Sequence, residues 1–198
     1  MKNKVLIGLA AVAMVAFLAS CGKVPQAQID ATNAAIEAAK AAEANVYLPT
    51  EFAAVQDSMN AVMAQIETQK SKLFKSFGNT KVKLDATLAL ANQVAANVAA
   101  KKDEVKKEAE TLLTDIKAVI AENVKLVPKL PRGKEGAAVI DQIKADLGTV
   151  DASVTEAQGL YDKGAYMDAL TKIKAAKDKA TSLNTEIKDA LTKARIKF

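Results

Sequence analysis

The chain predicts an all-α fold, an elongated antiparallel helical bundle or coiled coil of about five helices. They form two in-line three-helix bundles that share a long central helix. Three observations predict it. Apolar residues recur every three or four positions over long stretches, the spacing of one helix face. All four prolines, at 25, 49, 128 and 131, fall where that rhythm stops, and proline breaks helix interiors. Hydrophobic residues make up 50% of the chain but aromatics only 4%, with no tryptophan, and alanine is about a fifth. Cores of small aliphatic side chains suit close helix–helix packing. Val and Ile never alternate with polar residues for long, so strands are not expected.

The first helix is expected over 25–46, between Pro25 and Pro49. The second, 50–76, presents Phe52, Val55, Met59, Val62, Ile66 and Leu73, with Gln69 interrupting. The turn at Gly78-Asn79 leads to the third, 80–126. Its seam reads Leu84, Leu88, Ala91, Ala95, Val98, Val105, Ala109, Leu112, Ile116, Val119 and Leu126, interrupted at Lys102 and Asn123. At about 1.5 Å per residue it would run roughly 70 Å, longer than its neighbours. The second helix can then cover only its first half, and the fourth (134–163) and fifth (165–196) cover the second. The fourth carries Ile140, Ile143, Leu147, Val150, Val154, Ala157 and Tyr161. The fifth carries Tyr166, Ala169, Ile173, Ala176, Ala180, Leu183, Ile187, Ala190 and Ala194. Gly148 and Gly159 argue against an unbroken fourth helix, since each is worse than alanine by about 1 kcal/mol; a kink or a close helix crossing would explain them. Asp103/Lys107, Asp168/Lys172 and Asp189/Lys193 are spaced as i,i+4 pairs.

Lys2 and Lys4 precede an apolar run from Val5 to Ala19, too short to span a bilayer comfortably and ending in small residues, which is the form of an export signal. The tetrapeptide Leu18-Ala19-Ser20-Cys21 resembles the lipobox of bacterial lipoproteins. That resemblance implies cleavage before Cys21, a lipid on its sulfur and an acylated amino group. The expected organisation is a signal peptide at 1–20, a lipidated N-terminus at 21–24, a membrane-proximal bundle at 25–107 and a distal bundle at 108–198, with helix 80–126 continuous across both. Loss of residues 1–20 removes two of the 28 basic residues and none of the 23 acidic ones, leaving 178 residues at +3. That mild balance and export both speak against nucleic acid as a partner. Gly22 lacks the aspartate that retains many lipoproteins in the inner membrane, so an outer-membrane location facing the periplasm is expected.

Two further resemblances concern the helices. Leu160-Tyr161-Asp162-Lys163-Gly164-Ala165-Tyr166-Met167-Asp168-Ala169-Leu170 resembles the joint of tetratricopeptide-type hairpins, without a 34-residue period to make a solenoid. With its junction Tyr47-Leu48-Pro49-Thr50-Glu51-Phe52-Ala53-Ala54, the chain looks like a group of uncharacterised Ala-rich helical lipoproteins. That likeness implies no activity and no functional residues.

Catalysis is not expected. The chain has no histidine, one cysteine committed to lipid, and no Gly-rich phosphate loop. Asp103, Glu104, Glu108 and Glu110 read as a solvated helix face, so no catalytic residue, metal or cofactor is assigned. Two basic stretches are the candidate contacts. Lys70, Lys72, Lys75, Lys81 and Lys83 surround the first turn and would face the membrane surface. There Phe74 and Phe77 either close the end of the bundle, which is favoured, or dip into the interface. Lys125, Lys129, Arg132 and Lys134 surround the second loop and would meet peptidoglycan, an envelope polymer or a protein. The function expected is a lipid-anchored, non-enzymatic envelope spacer or interaction scaffold. The alternative is an accessory binding protein presenting a helical groove, with Met63, Leu90 and Val94 as its apolar lining. Oligomeric state is left open.

Overall fold

The computed structural model describes residues 23–132 and 136–198. The expected signal peptide, Cys21 and Lys134 lie outside them. The described residues form α1 (Gln26–Ala41), α2 (Ala44–Tyr47), α3 (Pro49–Lys70), α4 (Gly78–Leu126), a 3-10 turn (Val127–Lys129), α5 (Gly136–Asp162) and α6 (Tyr166–Lys193), with no strand among them. The fold is all-α with a long central helix, α4, of 49 residues. Its residues serve two compact units that divide between Ala96 and Asn97, earlier in the helix than residue 107.

In the first unit, Pro25 stands at the N-cap of α1 and Pro49 at the start of α3, where proline's missing N–H leaves no helix bond unmade. The expected single helix 25–46 is broken. Glu43 turns left-handed at φ 70, which re-aims the chain so that α2 buries Ala44 and Tyr47. Helix α3 buries Phe52, Val55, Met59, Val62 and Ile66 as its spacing predicts. It stops at Lys70 instead of reaching residue 76. After Ile66 come six polar residues, Glu67 to Lys72, so no apolar face holds the last turn against the core. Phe77 then enters the core with no exposed surface and leads into α4.

In the second unit, α5 packs extensively on α6. Inter-helix contacts fix their directions. Lys174 meets Glu108 at 2.7 Å, Lys177 meets Asp115 at 2.7 Å and Lys188 meets Glu122 at 2.8 Å, so α6 runs parallel to α4. Lys172 pairs with Glu156, and Lys179 with Asp146 at 2.7 Å, so α5 runs antiparallel to α6. Lys172 thus reaches across to α5, where the sequence had paired it with Asp168 on its own helix. The chain turns sharply between α5 and α6 at Gly164. Gly164 takes φ +82, its N–H bonds to Tyr161 O at 2.9 Å and the Ala165 N–H to Leu160 O at 3.0 Å. This pair of bonds satisfies the last carbonyls of α5, and glycine adopts the left-handed turn without penalty.

The seam of α4 departs from its expected course. Leu84, Ala91, Val98, Val105, Ala109, Ile116 and Leu126 are buried, but Thr87 and Val94 lie deeper than Leu88 and Ala95, and Leu113 deeper than Leu112. Val119 is half-buried. A straight helix with 3.6 residues per turn rotates a strict seven-residue repeat by about 20° per heptad. The buried strip therefore steps by one position along so long a helix. Asn123, expected to interrupt the seam, is part of it and fully buried. Helix α5 runs unbroken through Gly148 and Gly159, and a Cβ at either would meet nothing within 4 Å. The helix is not broken there, and no close crossing accounts for them.

Candidate functional site

The first basic stretch gathers at one end of the first unit. Gln28, in the first turn of α1, donates from Nε2 to Asp85 Oδ1 at 2.8 Å. Thr32, fully buried, donates its hydroxyl to Gln28 O at 2.7 Å and faces Leu84 O at 3.4 Å. Asp85 lies seven residues into α4, roughly 10 Å along its axis. The start of α1 is therefore beside the start of α4. Pro25, three residues before Gln28, is thus on the side of the first unit where residues 71–77 lead from α3 into α4.

That joining segment carries two unburied apolar side chains, Leu73 at 91% exposure and Phe74 at 88%. The pair of phenylalanines is thereby split. Phe77 closes the bundle end, as favoured, whereas Phe74 points away from the core. Around them, Lys70, Lys72, Lys75 and Lys83 are exposed and Lys81 is half-buried. Lys70 pairs with Glu67 at 2.7 Å. Lys72, Lys75 and Lys83 make no ion pair among the described residues. Val82, in the first turns of α4, is also 66% exposed.

The second stretch is looser. Lys125 sits in the last turn of α4, Lys129 ends the 3-10 turn and Arg132 follows it, all exposed. Arg132 borders a shallow cavity of about 390 Å³ whose other walls are Val127, Pro128, Ala137, Ile140, Asp141 and Lys144. Of the residues proposed to line a groove, Val94 is 3% exposed and belongs to the core, while Met63 and Leu90 are half-buried.

The carboxylates on α4 do not converge. Glu104 pairs with Lys101 at 2.9 Å on its own helix, Glu108 with Lys174 on α6, and Glu110 Oε2 lies 3.5 Å from the Tyr161 hydroxyl of α5. Burial, then the Glu110 charge, raises the Tyr161 pKa above its ordinary value. Tyr161 also stacks obliquely on Tyr166, ring centres 5.2 Å apart, with the Lys106 ammonium 5.7 Å from the latter ring. This cluster clasps the hairpin joint. Among the described residues no group of three or more His, Cys, Asp or Glu could hold a metal ion, and no helix is long and apolar enough to cross a membrane.

The polar feature that periodicity missed is the Asn123–Asn184 pair. Asn184 Nδ2 donates to Asn123 Oδ1 at 2.7 Å and to Glu122 Oε2 at 3.1 Å, and Asn123 Nδ2 donates to Ala180 O at 2.9 Å. Asparagine at a seam position was its only signal. Compared with family models, curated proteins and solved structures, the chain finds no match.

Proposed function

We propose that this chain is a lipid-anchored, non-enzymatic scaffold or spacer of the bacterial envelope, held by acyl chains on Cys21 to the periplasmic face of the outer membrane. The observation that carries the reading is where helical structure starts. Helix α1 begins at Gln26, five residues after the lipobox cysteine. Fully extended, five residues reach roughly 18 Å. Acyl chains on Cys21 would thus hold the first helical unit close to the bilayer, with no long tether. Two or more acyl chains make such attachment stable, where one gives only marginal binding. The helical cores are built of aliphatic seams, flanked in the second unit by exposed inter-helix ion pairs, and the α4 carboxylates diverge toward separate partners, which supports a role in spacing or contact over catalysis.

Metabolic labelling tests this. Cells expressing the full chain and grown with labelled palmitate should place the label on the protein and recover it with outer membranes. Cys21→Ala should lose the label and should no longer stay with those membranes through a high-salt wash. Label on the variant, or none on the parent chain, would defeat the proposal.

A further inference from the structure

We propose that Leu73 and Phe74 form a membrane-inserting tip, with Lys72, Lys75 and Lys83 as its contacts to anionic lipid headgroups. The orientation rests on the lipid-anchor reading; the chemistry of the tip stands without it.

Three observations converge. Leu73 and Phe74 are the most exposed large apolar side chains described, and they are adjacent in the chain. Soluble folds seldom leave such residues paired and uncovered at a projecting turn, and an apolar pair rimmed by charge marks a contact surface. The rim is of one sign. No acidic residue occurs between Thr68 and Leu84, and Lys72, Lys75 and Lys83 make no ion pair among the described residues. Finally, the start of α1 lies at this same end, so an acyl group on Cys21 and the tip would address one surface.

The occupant is then a lipid bilayer with anionic headgroups. Its negative surface complements the lysines, and its interfacial region accepts a leucine and a phenylalanine at shallow depth. A lysine near such a surface strengthens partition by about fivefold, so three give on the order of 100-fold. The contribution falls as salt rises. Phe77 takes no part, because it is buried in the core.

The test uses the full lipidated chain in vesicles of phosphatidylethanolamine and phosphatidylglycerol, 3:1. With Cys21 acylated, a second cysteine accepts an environment-sensitive fluorophore cleanly. Phe74→Cys should show a blue-shifted label shielded at least fivefold from an aqueous quencher, relative to Val46→Cys, an exposed position beside the start of α3, which lies roughly 33 Å from that helix's end at Lys70. Adding Lys72→Glu, Lys75→Glu and Lys83→Glu should abolish that shielding while the far-ultraviolet circular dichroism stays unchanged. Equal quenching at 74 and 46 would overturn the proposal. So would a concentration-dependent dimer dissolved by Leu73→Ser with Phe74→Ser, since the occupant would then be a second copy. The Cys21→Ala chain separates the two readings. Salt-sensitive binding of that variant to the same vesicles, lost on the triple charge reversal, supports the tip even if no acyl group is ever found on Cys21.

Discussion

Asn123 and Asn184 carry the most informative side-chain chemistry of the second unit. A buried amide is tolerated only when its donors and acceptors are matched, and here each donates to a named partner across α4 and α6. Removing one member leaves the other with an unmet buried group. Asn123→Ala should therefore lower the stability of the second unit by about 1–3 kcal/mol, measured by chemical denaturation. Because Asn123 bonds both Ala180 O and Asn184, one turn apart on the same face of α6, the pair also fixes the register of α6 on α4, as a single asparagine does in coiled coils. Sliding by one turn would strand both amides among Ala, Leu and Ile. Asn123→Leu leaves the same Asn184 N–H unmet but keeps the space filled, so it should cost less stability than Asn123→Ala.

Element lengths follow from where burial can be sustained. Helix α3 ends once its apolar spacing lapses after Ile66, and α1 ends at a left-handed Glu43 because Ala44 and Tyr47 gain burial by turning inward. Helix α5 is the opposite case. Its apolar face at Ile140, Ile143, Leu147, Val150, Val154 and Ala157 is continuous, and that packing carries it through two glycines. Gly148 is exposed and a Cβ there meets open space, so the glycine only adds backbone entropy to the unfolded chain. Gly148→Ala should stabilise by about 0.5–1 kcal/mol, visible as a raised thermal midpoint. Gly164 differs, since its φ of +82 makes a side chain there strained whatever the space.

At the scale of the whole chain, the second unit is laced by lysines of α6 to acids on both neighbours. Hydrogen bonding from Lys188 holds the Glu122 carboxyl below the usual carboxylate range, Lys179 does the same for Asp146, and Lys172 for Glu156. A carboxyl whose pKa is lowered by folding stabilises the fold above its unfolded pKa, and that contribution disappears as pH falls through the folded value. The thermal midpoint should hold steady from neutral pH to about pH 5, then fall below about pH 4. High salt should flatten the dependence, because these pairs are exposed and individually weak. Lys188→Gln should make the acid slope shallower, as read from melts across that range.

How far the sequence reached varies with how local the information is. The number and type of the long helices and most buried residues follow from a 3-4 rhythm and proline placement, because each position reports its own side of one helix. The basic cluster from Lys70 to Lys83 was equally plain. Leu73 was not, for it fits the α3 spacing and only the end of that helix at Lys70 turns it outward. The sequence by itself determined that this chain is built of long amphipathic helices and where most of them break. Tertiary structure alone decided which of two adjacent seam residues is deeper, that Asn123 is core, and that Phe77 is buried while Phe74 is bare. Those outcomes depend on neighbouring helices, whose angle and partner groups no single-helix periodicity encodes.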